Sequence, residues 1–150
     1  MAGQLQFQVL TPTGTIYDEP VYEVVAPTTE GELGILPHHI PIVAVTQLGV
    51  VAVRRQQQDP NTELDHLVIG QGLLEVTEGH VRMVVDEAEH VDTIDELVIK
   101  QELAAAQQRL KAAQDRLELA TAGATVERSL TWLKGAELSR GGSRNAATRR

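Results

Sequence analysis

Cysteine is missing from this 150-residue sequence, and aromatic residues are nearly so, with one Phe, two Tyr and one Trp. Without cysteine the chain cannot form a disulfide scaffold, a thiolate metal site or a cysteine nucleophile. With so few aromatic rings, the core must be built from Val, Ile, Leu and Ala. The same scarcity argues against nucleic-acid binding, which relies on aromatic residues interleaved with basic ones.

Long hydrophobic runs are absent as well. The longest candidate, residues 40–53, is interrupted by Thr46, Gln47 and Gly49, whereas a membrane-spanning helix needs about 20 apolar residues. The first residues lack the basic and apolar pattern of a signal peptide, so we expect them to belong to the mature protein. We therefore expect membrane association only through a partner.

Basic residues are scarce in the first 90 positions, which hold three Lys or Arg against 13 Asp or Glu. Residues 91–150 hold ten basic residues against eight acidic ones, and six of those ten lie after residue 126. This asymmetry predicts that an acidic protein ends in a segment suited to an acidic partner surface.

Hydrophobic residues up to about residue 90 follow a period of two. Leu5, Phe7 and Val9 alternate with glutamines, as in a half-buried strand. Turn-forming residues at short, regular spacing favour an antiparallel sandwich over a parallel sheet. Further strands are predicted near residues 21–26, 42–45, 50–54, 64–69, 73–76 and 81–85. We predict a β-sandwich domain over residues 1–90.

A helical period follows. Asp92 or Thr93 is expected to cap the first helix, and Gly123 is expected to break it, so that a second helix runs over residues 125–138. Leu and Ala alternate in a heptad-like seam at Leu103, Ala106, Leu110, Ala113, Leu117 and Ala120. The apolar face of the second helix is predicted at Val126, Leu130 and Leu133.

The predicted fold class is therefore β + α, an N-terminal antiparallel β-sandwich followed by a C-terminal antiparallel two-helix hairpin. The hairpin domain covers residues 91–139. Residues 140–150 contain no apolar residue larger than Ala and are predicted to form a basic, disordered tail.

No constellation in the sequence predicts an active site or a metal site. His38 and His39 are adjacent, so on a strand they would point to opposite faces, and no third ligand lies at a usable spacing. The acidic cluster at residues 86–92 lacks the glycine-turned loop of a calcium site. A phosphate-binding glycine loop and a nucleophile elbow are also absent. We predict no enzymatic activity, no catalytic residue, no metal and no cofactor.

One segment carries a specific resemblance. Residues 24–42 read VVAPTTEGELGILPHHIPI and are followed by LGVVAV at residues 48–53, a combination that resembles the epsilon subunit of bacterial F-type ATP synthases. A glycine hairpin at residues 69–76, then Ala88-Glu89, then Ile94-Asp95 follow in the order of that family. The resemblance covers residues 4 to about 138.

The resemblance implies a non-catalytic subunit of the central stalk, or rotor, that couples gamma and the c-ring of a proton-translocating synthase. It implies that Glu32 faces the c-ring and that His38 and His39 lie near gamma. It also implies that the C-terminal helices can restrain ATP hydrolysis by entering the alpha/beta catalytic head. The basic residues expected to contact the head are Arg128, Lys134, Arg140 and Arg144. The protein would be peripheral, on the cytoplasmic side of the cell membrane.

Some members of this family bind ATP through an Ile-Asp-x-x-Arg-Ala motif. Here Ile94 and Asp95 match, but Val98 and Ile99 replace the Arg and the Ala, so the cation for phosphate is lost. Glu89 and Arg128 are candidate neighbours of this remnant. The competing interpretation of the whole chain is a free-standing, ligand-binding β-sandwich that dimerises through its helices.

Overall fold

We describe the protein from a computed structural model, which covers the backbone of residues 3–147 and the side chains of residues 3–141. This part of the chain forms ten strands and then two α-helices. The strands are β1 (Leu5–Thr11), β2 (Gly14–Val21), β3 (Glu23–Thr28), β4 (Gly31–Ile35), β5 (Ile42–Thr46), β6 (Gly49–Arg54), β7 (Asp65–Ile69), β8 (Gly72–Thr77), β9 (His80–Val85) and β10 (Ala88–His90). The helices are α1 (Glu96–Ala112) and α2 (Arg116–Ala147), and short 3₁₀ turns lie at Asn61–Glu63 and Val91–Thr93.

The strands form two layers that face each other across one core. One layer has the order β10-β7-β6-β3-β4 and the other β5-β8-β9-β1-β2, joined by a single pair between Thr28 and Thr46. All pairs are antiparallel except β1 with β9. The inward-pointing residues, including Leu5, Phe7 and Val9, are almost completely buried. The predicted fold class, a sandwich followed by two helices, is confirmed.

Three strands were not predicted: β2, β4 and β10. In β2 only Tyr17 and Val21 are buried, so its sequence shows no regular alternation. It forms because its backbone pairs with β1. The same holds for β4, a glycine-containing strand that pairs only with β3.

The first helix begins later than predicted. Asp92 and Thr93 lie in a 3₁₀ turn, and the helix is capped by Asp95, whose Oδ1 accepts hydrogen bonds from the backbone N–H groups of Leu97 and Val98. Asp95 satisfies two of the free amides that every helix start presents. Any of these three polar residues could cap a helix on sequence grounds, and packing of the 3₁₀ turn selects the last.

The turn between the helices also differs from the prediction. It lies at residues 113–115, whereas Gly123 lies inside α2. The cause is a reciprocal cap: the amide of Glu118 donates to Asp115 Oδ1 at 2.8 Å, and the carboxylate of Glu118 accepts from the amide of Gln114 at 2.9 Å. The predicted seam therefore holds as far as Leu110, while Leu117 is 76% exposed.

The second helix is longer than predicted at both ends, because it begins at Arg116 and continues past Leu138 to Ala147. Two contacts anchor its extension: Ser139 Oγ donates to Asp92 at 2.6 Å, and Arg140 pairs with Glu96 at 3.1 Å. The predicted disordered tail at residues 140–150 is thus helical through Ala147, and residues 148–150 lie outside the described part.

A second, smaller apolar cluster joins α2 to the outer face of β7. Leu67 and Ile69 point into the sandwich core, whereas Val68 points outward and packs with Val91, Ile99 and Trp132. Trp132 is completely buried. The predicted contact face of α2 was wrong in one position, since Leu130 is 51% exposed.

Gly135 is the point of closest approach between α2 and the sandwich. A Cβ atom at this position would lie 2.4 Å from Val68 Cγ2 and 3.3 Å from Val91 Cγ1. Such distances are far below van der Waals contact, so the helix can sit this close only because residue 135 has no side chain.

Candidate functional site

The two outward faces of the sandwich differ. Helix α2 covers the outer face of β7, but the outer face of β5, β8 and β9 is uncovered and carries an apolar row. Val45 pairs with Leu73, and Leu73 pairs with Val84, so the three side chains are neighbours across three strands. Each is about half exposed, and Val43 and Ile40 are more so. An exposed apolar row of this kind is a candidate interaction surface.

Glu32 lies in the other layer, near the end of β5 at Thr46, whereas His38 and His39 lie near the opposite end of β5. Glu32 is exposed on β4, beside the turn at Gly31, where φ is 113°. The two histidines lie in the loop that precedes β5. Because β5 has five residues, the two ends are separated by roughly 17 Å. The resemblance assigns Glu32 and the two histidines to different partners, and the structure places them at different ends of β5.

The histidine loop has an unusual backbone conformation. His38 has a φ of 69°, in the left-handed region that a residue other than glycine seldom adopts. The Nδ1 of His39 donates to the carbonyl of Ile40 at 2.7 Å. The loop borders a groove of about 550 Å³, together with Gly3, Gln4 and the hairpin at Glu78–Gly79. Within residues 3–141, no three His, Asp or Glu side chains are grouped as metal ligands.

Arg128 is the polar centre of the interface between the hairpin and the sandwich. Its Nε donates to both carboxylate oxygens of Glu87, at 2.9 and 2.7 Å, and its Nη2 donates to Glu87 as well. Its Nη1 donates to Glu102 on α1 at 3.1 Å. The guanidinium carbon lies 4.4 Å from the ring centroid of Trp132. The hydrogen bonds that Arg128 donates to the Glu87 carboxylate raise the pKa of Arg128, so the guanidinium stays charged.

Glu89 is a second acidic residue at this interface, and it accepts a hydrogen bond from Trp132. The indole Nε1 donates to Glu89 Oε2 at 2.8 Å, and Thr93 Oγ1 lies 3.4 Å from the other oxygen. Glu89 and Arg128, the two candidate neighbours of the ATP-motif remnant, therefore both contact the side chain of Trp132. Ile94 packs in the second apolar cluster. Asp95 is occupied as the α1 cap.

The basic residues predicted to contact a catalytic head differ in whether they form ion pairs within this chain. Arg128 and Arg140 are paired with acidic residues of this chain, and Lys134 is exposed. The side chain of Arg144 lies outside the described residues. Sequence analysis did not single out Glu87, Glu102 or Trp132. The one available signal was the presence of the only tryptophan, a large apolar residue, in a helix otherwise rich in Ala.

A cleft of about 440 Å³ lies where the end of α2 meets the sandwich. It is lined by residues 62–66, His90 to Asp92, Leu138 and Ser139. Burial lowers the pKa of His66 in this cleft, and His90 lowers it further, while the carboxylates of Asp65 and Asp92 oppose the shift. The folded chain therefore favours the neutral form of the His66 imidazole.

We expect this histidine to make the protein less stable in mild acid. The pKa of His66 is lower in the folded chain than the ordinary value of 6.5, so its contribution is complete above about pH 6.5 and is lost as the pH falls through the folded-state pKa. Urea unfolding at about pH 7.5 and about pH 5.5 measures this loss. In a His66→Gln variant the decrease should be smaller. An equal decrease in both proteins would assign the acid sensitivity to other groups.

No helix in the described part of the chain has both the length and the apolar content required to cross a bilayer. Residues 4–91 match the family model of the ATP synthase delta/epsilon chain β-sandwich domain.

The ATP synthase epsilon chain of Syntrophobacter fumaroxidans is 35% identical over 137 residues, covering 91% of this chain and 98% of the relative. That of Moorella thermoacetica is 30% identical over 134 residues, covering 89% and 97%.

Solved structures share the fold. A chain in the Euglena gracilis mitochondrial ATP synthase (OSCP/F1/c-ring) aligns with a TM-score of 0.69 and 22% identity, covering 93% of this chain and 82% of that one. A chain in the central stalk and c-ring structure of the Tetrahymena thermophila enzyme aligns with a TM-score of 0.56 and 17% identity, covering 91% and 99%. The matched family model and the two relatives show that this chain belongs to the epsilon-chain family of ATP synthases.

Proposed function

We propose that this chain is a non-catalytic rotor subunit that joins the gamma subunit to the c-ring of a proton-translocating ATP synthase. The observation that carries this proposal is the uncovered apolar row at Val45, Leu73 and Val84, on the face opposite the helices. A rotor subunit must bind its neighbour firmly while leaving its helices free to move. The two separate outer faces of the sandwich meet both requirements.

The apolar row is the surface proposed for gamma, with the histidine loop at His38 and His39 as its edge. The end of the sandwich bearing Glu32 is proposed to face the polar loops of the c-ring. The subunit would then lie on the cytoplasmic side of the cell membrane and reach it only through the complex. An extended apolar row bounded by polar loops is the composition expected of a permanent interface.

The hairpin is proposed to restrain ATP hydrolysis by leaving the sandwich and contacting the alpha/beta catalytic head. The docked helices are held by a small apolar cluster, one ion pair between Arg128 and Glu87, and the hydrogen bonds of Trp132 and Ser139 to acidic side chains. A contact of this size suits an element that moves between two states. The competing interpretation, a free dimer built on the helical seam, has less support because α1 and α2 use that seam on each other.

Binding to gamma tests the proposal directly. Leu73→Ser should weaken co-purification with gamma by about tenfold or more, since a buried leucine contributes roughly 1.5–3 kcal/mol to an interface. Leu119→Ser is the matched control, because Leu119 is also 52% exposed but lies on α2. Glu32→Lys should leave gamma binding intact and weaken retention of the c-ring. Gamma binding that is unchanged by Leu73→Ser would contradict the proposed orientation.

A further inference from the structure

Arg82 is the one basic residue of the sandwich that has no acidic partner in the described part of the chain. The other two, Arg54 and Arg55, form ion pairs with acidic residues of this chain. Arg82 is exposed on β9 and makes neither an ion pair nor a side-chain hydrogen bond within residues 3–141. Because residues 1–90 hold three basic residues against 13 acidic ones, an unpaired arginine is unexpected on this domain.

The acidic residues around Arg82 do not neutralise it. Glu75 lies directly opposite on β8, where the Cβ atoms of paired residues are about 5 Å apart, yet no ion pair joins the two side chains in the described structure. On the other side, Gln8 of β1 is the register partner, and its amide donates to Asp18 at 3.2 Å. Asp18 also accepts a hydrogen bond from Gln6 at 2.6 Å. The N–H groups of the Arg82 guanidinium are therefore available to a group outside this chain.

Arg82 lies between the two parts of the surface proposed for gamma. Val84, the β9 member of the apolar row, follows Arg82 by two residues, and His80 precedes it by two. Residues two apart on a strand point to the same face and are separated by roughly 7 Å. His80 follows the Glu78–Gly79 hairpin, which borders the groove of the histidine loop. A partner that covers both the apolar row and the histidine loop also covers Arg82.

We infer that gamma presents a carboxylate to Arg82, beside the apolar side chains that pack on Val45, Leu73 and Val84. The inference rests on the proposed function, in which gamma covers this face. Covering the guanidinium without a counter-charge costs free energy, because the charge loses its hydration. A carboxylate can accept two of its N–H groups at once. The pair also fixes the register of the two surfaces, which an apolar contact alone does not.

Glu75 is the competing source of negative charge. If gamma brought no carboxylate, Glu75 would turn toward Arg82 when the face is covered, and loss of either residue would weaken binding. If gamma supplies the carboxylate, Glu75 repels it, and loss of Glu75 strengthens binding. Glu75→Gln therefore has opposite effects on affinity in the two cases.

The test is the Kd of the full-length chain for an F1 complex that contains gamma but lacks its epsilon chain. Arg82→Gln should raise the Kd by about tenfold or more, and Arg82→Lys should raise it less, because lysine keeps the charge but not the planar pair of donors. Glu75→Gln should lower the Kd by up to about fivefold. Arg109→Gln and Glu127→Gln are the matched controls, since they make the same charge changes at exposed positions on the helices.

Leu73→Ser, measured in the same assay, separates the inference from the proposed function. A Kd that rises for Leu73→Ser but not for Arg82→Gln would overturn the inference and leave the gamma surface in place. A Kd raised by Glu75→Gln as well as by Arg82→Gln would assign the counter-charge to Glu75 and also overturn it. A Kd lowered by Arg82→Gln would mean that gamma is basic at this point. No effect of Leu73→Ser would remove the proposed surface, and the inference with it.

Discussion

Trp132→Ala is expected to release both helices while the sandwich remains folded. Trp132 is the largest completely buried side chain, and it belongs to the small cluster with Val68, Val91 and Ile99, separate from the sandwich core. Truncating a buried tryptophan costs about 3–5 kcal/mol. The interface between α2 and the sandwich has few other apolar contacts that could compensate for this loss. The loss also removes the ring that covers Arg128.

Hydrogen exchange resolved along the chain measures this outcome. Amides of α1 and α2 should lose protection, whereas those of β1, β8 and β9 should keep it. Trp132→Phe is the control, since it retains an apolar ring but loses the donor to Glu89, a bond to a charged group worth about 1.5–3 kcal/mol. Its effect should lie between wild type and Trp132→Ala. Unfolding of the entire chain at once would contradict the separation into two clusters.

Gly135→Ala is expected to destabilise the docked state even though alanine favours helix. The gain in helix propensity is about 1 kcal/mol. Against it, the new Cβ would lie 2.4 Å from Val68 Cγ2, and such overpacking typically costs about 1–3 kcal/mol. Val68 is β-branched and lies in a strand, so its side chain has little freedom to move away.

Gly123→Ala provides a matched control on the same helix. No heavy atom lies within 4 Å of a Cβ at Gly123, so only the gain in helix propensity remains and the variant should be stabilised. Trp132 is the only tryptophan, so its fluorescence in a urea titration reports α2 docking in both variants. The midpoint should fall for Gly135→Ala and rise for Gly123→Ala. Stabilisation of both would mean that α2 can shift outward without cost.

The architecture was predictable because alternation and capping are local signals. The period of two in β1 and the turn residues between strands suffice to indicate a sandwich. Strand β2 was missed because its formation depends on pairing with β1, which a local pattern does not reveal. The helical turn was placed at Gly123 on propensity alone. The Asp115 and Glu118 pair, three residues apart, was the better signal, since a reciprocal cap marks a helix start.

The site was less predictable than the fold. The charges on α2 suggested an acidic partner. Sequence cannot show that Arg128 already binds two acidic residues of its own chain, Glu87 and Glu102, which lie 41 and 26 residues away. The apolar row is likewise spread over three strands, with one residue contributed by each. Features that depend on residues distant in sequence become visible only when the strands are placed in register.

The position of the turn at residues 113–115 determines the reach of the second helix. With 32 residues, α2 is about 48 Å long at 1.5 Å per residue, whereas a helix over residues 125–138 would be about 21 Å long. With a break at Gly123, the arm beyond the turn would be less than half as long. With the turn at residues 113–115, Arg128 and Trp132 lie near the middle of one continuous helix, so any displacement of α2 about this turn would carry both side chains with it.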